Sequence, residues 1–276
     1  MNQVESAGLT DIGRKRKVNQ DAFFLDDRLG LYVVADGMGG HKAGEVASQI
    51  VVETLREEMA GPENPGEVFH PDASLSPTAA RLLKAIELAN LNVRQKSRNN
   101  EAFQGMGSTV SAILLSGHTV IAANVGDSPI YLIQRNHIEE ISVPHTLAAA
   151  QAAGEIEGDS RPDEAAHHIL TRAIGTQHSV TPHICEIQGF PGDILVACSD
   201  GLSNKASKAE ISSAARSMPP DKACRHLVAL ANERGGGDNI TVLITRIKSG
   251  GFINSPALKP VVRFFRCVFS GFRNKR

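Results

Sequence analysis

Apolar positions along this chain switch repeatedly between two periods. Residues 31–35 form a short β-rich run that breaks at Asp36-Gly37. Over 43–59 the period lengthens, with Val46, Ala47, Ile50, Val51, Leu55 and Met59 recurring at helical spacing. The stretch from Gly61 to Pro77 holds Pro62, Pro65, Pro71 and Pro77 and predicts a surface loop. A second helix is predicted over about 78–98, burying Leu82, Leu83, Ile86, Ala89 and Val93. From Ser108 to Ile141 β-rich runs follow, separated by the turn signals SGH, GDSP and QRNH. Connections this short cannot carry crossover helices, so the strands should pair antiparallel, against a doubly wound parallel sheet. Residues 145–168 are Ala-rich and polar and predict a helical insertion ahead of HILTRAIG. Runs at 193–198 and 240–247 read as a further strand pair bracketing a helical segment at 208–234. The expected class is α+β: an antiparallel β-sandwich flanked by helices, with no internal repeat.

Three apolar runs meet an aspartate beside glycine: Asp36 in LYVVADGMGG, Asp200 in ILVACSDGL and Asp238 in RGGGDNITVLI. Asp-Gly is ordinary turn chemistry at any one place. Three such places, far apart in sequence, could bring their carboxylates into one acidic cluster. Clustered carboxylates repel unless a cation joins them, and hard divalent ions with oxygen ligands are the usual partner.

Composition narrows the classes. The chain of 276 residues is 41% hydrophobic and 21% charged, ordinary for a soluble globular protein. Its net charge is −1, unevenly spread. Residues 250–276 carry six basic residues and no acid, leaving 23 basic against 30 acidic residues in the body. That balance argues against nucleic acid as a partner of the body. Cys185, Cys198, Cys224 and Cys267 lack paired spacing, and no Cys/His set suggests zinc. The N-terminus lacks signal-peptide features and no apolar run is long enough to span a bilayer, so a cytoplasmic body is expected.

The N-terminal segment TDIGRKRKVNQDAF places Arg16, Asn19 and Asp21 close together. Alone it reads as a solvated basic turn leading into a helix or strand. Beside Asp36 it offers a further carboxylate and an arginine whose planar fork suits phosphate. The residues then become specific. TDIGRKRKVNQDA, VADGMGGHKAGEVAS, GMGSTV, NVGDSPIYLI, HILTRAIG, ACSDGL and GGGDNITVLI follow in order across about residues 5–247. In these blocks the chain resembles the PPM (PP2C-type) metal-dependent protein serine/threonine phosphatases, in their compact bacterial form.

The resemblance implies a β-sandwich flanked by helices and two Mn²⁺ or Mg²⁺ ions at one end. Asp36 would bridge both ions, and the Gly37 carbonyl would ligate one. Asp200 and Asp238 would complete the other ion's shell, with Asp21 supporting directly or through water. Asp127 matches a position used, with the Asp200 equivalent, for a third ion. Arg16 would hold the substrate phosphate. A hydroxide bridging the ions would then attack phosphorus directly, with no phosphoenzyme. Implied partners are phosphorylated proteins and a cognate Ser/Thr kinase in bacterial signalling.

Departures are few. Gln20 stands where the family has glutamate, and Pro129 where arginine follows GDS. Met38 replaces the histidine that many animal members offer as proton donor. His41 is a candidate for that role, beside the reading of an ordinary loop histidine. His145, His167, His168 and His178 lack ligand spacing and are expected to be surface or hydrogen-bonded residues. Residues 145–170 correspond to the family's variable flap.

Two competing readings and a tail remain. Cys267 and Arg273 have the Cys-x5-Arg spacing of cysteine-based phosphatases, but Val268, Phe269 and Phe272 suit a phosphate-cradling loop poorly. A catalytically dead binding module would be expected to lose metal ligands. The tail, 250–276, holds five of the ten phenylalanines. As a helix, 261–273 would gather Val261, Phe264, Phe265, Val268, Phe269 and Phe272 on one side, with Arg263, Arg266 and Arg273 roughly opposite. Such a segment, 259–276, suits peripheral docking on an inner-membrane surface or in a partner's groove; folding back on the body and disorder are the alternatives.

Overall fold

A computed structural model describes residues 4–40, 43–62, 75–156 and 164–248, with 266–268 described in backbone only. Its strands are β1 (Val4–Asp11), β2 (Asp21–Asp26), β3 (Leu31–Met38), β4 (Gly107–Ser108), β5 (Val110–Ser116), β6 (Thr119–Val125), β7 (Ile130–Gln134), β8 (His137–Glu140), β9 (His183–Gln188), β10 (Ile194–Cys198), β11 (Ile240–Ile247) and β12 (Arg266–Val268). The helices are α1 (Ala43–Ala60), α2 (Pro77–Asn99), α3 (Leu147–Ala152), α4 (Asp200–Ser203), α5 (Lys208–Ser217) and α6 (Pro220–Glu233).

The strands form two antiparallel sheets. One has the order β1-β11-β10-β7-β8, the other β12-β9-β6-β5-β3-β2, with β4 paired to β3. Strands apolar on both faces are buried on both faces. In β3, Leu31, Val33 and Ala35 join the core under α1 and α2, whereas Tyr32 and Val34 enter the core between the sheets. In β10, Ile194, Val196 and Cys198 face α5 and α6, whereas Leu195 and Ala197 face the other sheet. Three apolar layers therefore separate four structural ones, as expected for a helix-flanked sandwich.

Local signals fix the helix ends. Ser76 caps α2 by accepting from the Ala79 N–H at 3.2 Å, with Pro77 in the first turn. Ser207 and Glu210 close a reciprocal capping box on α5.

Several expectations need adjustment. The run at 31–35 extends to Met38. The N-terminal basic turn leads into a strand, β2, and both β1 and β9 went unanticipated. The insertion at 145–168 is helical only over Leu147–Ala152 and in a 3₁₀ turn at Glu164–His167. Residues 63–74 of the expected loop, residues 157–163 of the insertion and His41 lie outside the described residues. So does the tail, except 266–268, which form a strand antiparallel to β9 instead of part of a helix. Among the described residues no helix is long and apolar enough to cross a membrane.

Candidate active site

The sandwich gathers the chemistry at one end, in a cleft of about 580 Å³. Arg16, Gln20, Asp36, Gly37, Met38, Asp127, Asp200 and Asp238 all line it. Asp21 lies behind them, directly opposite Asp36 in the β2–β3 ladder. The seven residues that the resemblance implies as functional are thus brought together. Of the three aspartates beside glycine, only Asp36 sits within a strand: Asp200 opens α4 after β10, and Asp238 precedes β11.

Asp36 is held by its backbone and Asp21 by hydroxyls. The Asp36 N–H donates to Thr109 Oγ1 at 3.0 Å, and its carbonyl accepts from the Thr109 N–H at 2.8 Å. Thr109 Oγ1 in turn lies 2.8 Å from Ser128 Oγ, tying β3 to the turn that carries Asp127. Asp21 is buried, and its Oδ2 accepts from Ser199 Oγ at 2.8 Å and Thr241 Oγ1 at 2.6 Å. Asn239 joins the segments: its Oδ1 accepts from the Gln20 N–H at 2.8 Å, and its Nδ2 donates to the Ile12 and Val18 carbonyls at 2.9 and 3.0 Å.

Glycine is needed where backbones meet. A Cβ on Gly37 would stand 2.0 Å from the Gly44 carbonyl oxygen, and one on Gly201 would stand 1.9 Å from that of Asn239. The recurring Asp-Gly therefore marks close backbone approach more than turn formation.

Electrostatically the cleft calls for positive charge. Burial, then the charges of Asp21, Asp200, Asp238 and Asp127, push the Asp36 carboxyl well above its ordinary range. Burial raises Asp21 to about 6, partly opposed by its two hydroxyl donors. Asp127 is likewise raised to about 6, by burial and then Asp200. Asp200 is raised by burial and Asp238, against lowering by His168, by a hydrogen bond with Asp36 and by Arg16. Asp21 Oδ1 and Asp200 Oδ1 are buried with no hydrogen-bond partner. Orphaned carboxylate oxygens amid like charges are what a divalent cation would satisfy, so the donor set fits hard metal ions. Among the described residues, no three His, Cys, Asp or Glu side chains already stand as a closed ion-holding set. Repulsion between ionised carboxylates works against closer approach, and a cation removes it.

Arg16 Nη2 lies 2.6 Å from Asp238 Oδ2, in a pair about half exposed. Such a pair is worth little in itself, so exchanging Asp238 for a phosphate would cost little. Gln20 Nε2 donates to the Gly39 carbonyl at 3.3 Å. Pro129, which stands where the family has arginine, is buried and lines a neighbouring pocket with Asp127, His168 and Asp200.

The histidines divide. His145 is buried, its Nδ1 accepting from the Gly126 N–H at 3.1 Å, and burial, then Arg172 and His183, push its pKa down to about 3. His167 and His178 are exposed. His168 departs from expectation by lining the cleft itself. No spacing rule could have found it, because the aspartates it meets in the cleft, Asp127 and Asp200, are more than thirty residues away in sequence.

A family model described as "Protein phosphatase 2C" matches residues 12–229. Arg16, Asp21, Asp36, Asp127 and Asp200 fall within that span, and Asp238 lies just beyond it. A protein from Streptococcus pyogenes described as "Putative protein phosphatase 2C-type" is 35% identical over 245 residues, spanning 87% of this chain and 96% of that one. The solved S. agalactiae serine/threonine phosphatase is 32% identical, with a TM-score of 0.77 over 89% of this chain and all of that one. The catalytic domain of the phosphatase PstP in complex with two manganese ions is 30% identical, with a TM-score of 0.75 over 89% of this chain and 99% of that one.

Proposed function

This chain belongs to the protein phosphatase 2C family, and we propose how its cleft performs the family's reaction, the metal-dependent hydrolysis of phosphoserine and phosphothreonine in proteins. The observation that carries the assignment of roles is the set of carboxylates around Asp36, with two orphaned buried oxygens and an arginine at its edge.

Asp36 would be shared between two ions, Mn²⁺ or Mg²⁺, with the Gly37 carbonyl on one and Asp200 and Asp238 on the other. Asp21 supports Asp36 from behind, and Asp127 with Asp200 offers a place for a third ion. Such ions supply an acidified water and neutralise charge on phosphoryl oxygens. Gln20, neutral where the family has glutamate, leaves its side of the site one negative charge short. Arg16 exchanges its bond to Asp238 for the substrate phosphate and orients phosphorus for in-line attack. In this reading water is the nucleophile, so a phosphoenzyme has no role.

The test is hydrolysis of p-nitrophenyl phosphate with and without Mn²⁺, in wild type, Asp36→Asn and Cys267→Ser. Activity should require Mn²⁺ and vanish only in Asp36→Asn; loss confined to Cys267→Ser would refute the metal reading. Calorimetric titration with Mn²⁺ gives the ion count, which should fall by one in Asp127→Asn if a third ion binds. A cognate Ser/Thr kinase is the expected opponent, since a phosphoprotein substrate implies one. Docking of residues 259–276 on a membrane surface or partner rests on their basic, Phe-rich composition. Deleting 250–276 should then alter fractionation with membranes while leaving catalysis intact.

A further inference from the structure

One imidazole in the cleft has no part in the roles above. His168 lines the cleft with Arg16, Asp36, Asp127, Asp200 and Asp238, and among the described residues no other histidine does. Its backbone is fixed on both sides. The His168 N–H donates to the Ala165 carbonyl at 3.0 Å, the Ile169 carbonyl accepts from the Leu147 N–H at 2.8 Å, and the Thr171 N–H donates to the His145 carbonyl at 2.9 Å. The ring is exposed and, among the described residues, enters no hydrogen bond or ion pair. It is close enough to Asp127 and Asp200 that a charge on the ring would lower both carboxyls.

The reaction leaves one requirement unmet. A serine or threonine alkoxide is a poor leaving group, and protonating it as it departs contributes about 10²–10⁴-fold. The other side chains nearest to such a role are unsuited to it. Met38 has no acidic proton, the Arg16 guanidinium does not release one, and the aspartates are committed to cations. Imidazole is the side chain suited to proton transfer near neutral pH.

We propose that His168 is the proton donor to the departing serine or threonine oxygen; this rests on the phosphatase reading above. The bond from a water oxygen to phosphorus forms as the bond from phosphorus to the side-chain oxygen breaks. The breaking bond's electron pair stays on the departing oxygen, which takes the proton from the His168 ring. The products are phosphate and a free hydroxyl, and the ring regains a proton from solvent.

A series of aryl phosphates with leaving phenols of rising basicity tests the assignment, using Mn²⁺-loaded wild type and His168→Gln. The loss in kcat/KM should grow along the series, from about 3-fold for 4-nitrophenyl phosphate to roughly 100-fold for phenyl phosphate. Added imidazole should restore the slow substrates preferentially. A loss by one uniform factor, with no rescue, overturns the assignment and leaves the phosphatase reading standing. A wild type inert toward every substrate overturns both. Equal melting temperatures for the two proteins separate a lost proton donor from a damaged fold.

Discussion

Without metal, Asp21 and Asp127 should each add stability to this protein as pH falls from about 7.5 to about 5.5, against an opposing loss from His145. Asp21 and Asp127 both have carboxyls raised to about 6, chiefly by burial. In the unfolded chain they titrate near 3.8. Each therefore binds its proton more tightly when folded. The stability this contributes is fully present below about pH 4 and is lost as pH rises through about 6. For Asp21 the full swing is about 3 kcal/mol, of which about 0.8 kcal/mol falls between pH 7.5 and 5.5. Asp127 offers a similar amount, but both groups sense Asp200, so the two gains do not simply add. Over the same range His145, held at about 3 by burial, works the other way: its unfolded imidazole takes up a proton that the folded one refuses, a loss of about 1.4 kcal/mol that offsets the carboxyls. The carboxyl contribution is therefore read in EDTA as the difference between Asp21→Asn and wild type. Asp21→Asn should be the more stable at pH 7.5, and its lead should shrink by about 0.8 kcal/mol, about 2–3 °C in a chain this size, by pH 5.5. With excess Mn²⁺ acidification should cost the wild type further stability, because protons then compete with the ion. A lead that stays constant or grows on acidification in thermal melts would refute the reasoning.

Other perturbations read different parts of the site. Arg16→Ala should lower kcat/KM for p-nitrophenyl phosphate by about 10- to 100-fold, and Arg16→Lys should recover little, because a lysine cannot reproduce the bidentate fork. Gly201→Ala would push a methyl to 1.9 Å from the Asn239 carbonyl oxygen, so thermal melts should show a loss of roughly 1–3 kcal/mol and calorimetry a weaker Mn²⁺ affinity. Asn239→Ala deletes the hydrogen bonds to Gln20, Ile12 and Val18, about 3 kcal/mol together, so denaturant titration should show a lower midpoint even with EDTA present.

Legibility in the sequence followed burial. Strands apolar on both faces, such as β5, β6, β10 and β11, stand out as continuous runs, and the helices under them show clear periods. β1 does not: VESAGLTD has intermediate burial along its whole length and is held mainly by eight residue pairs to β11. A strand specified by its partner leaves little trace in its own composition. β9 was hidden for a related reason, because His183 and Glu186 interrupt its apolar pattern. In the site, residues that abut glycine at breaks in apolar runs were readable. His168 was not, since only folding brings the insertion over the cleft.

The Asp-Gly pairs carry more of the architecture than turn chemistry would suggest. Gly37 admits the Gly44 carbonyl, and so lets α1 begin hard against the end of β3. Gly201 admits the Asn239 carbonyl, and so brings the start of α4 onto the residue that follows Asp238. Asn239 then reaches with its side chain to both sides of the Arg16 loop, at Ile12, Val18 and Gln20. Ser199, one residue before Asp200, closes the circuit by donating to Asp21, which faces Asp36 across the β2–β3 ladder. Each carboxylate is thereby positioned through a neighbour belonging to another segment. Ionised and without a cation, the five aspartates repel one another, so the glycine contacts and the Asn239 bonds must hold the cleft against that repulsion. The order of effects follows from this: losing a glycine contact disturbs several carboxylates at once, whereas losing one carboxylate relieves its neighbours while removing a ligand.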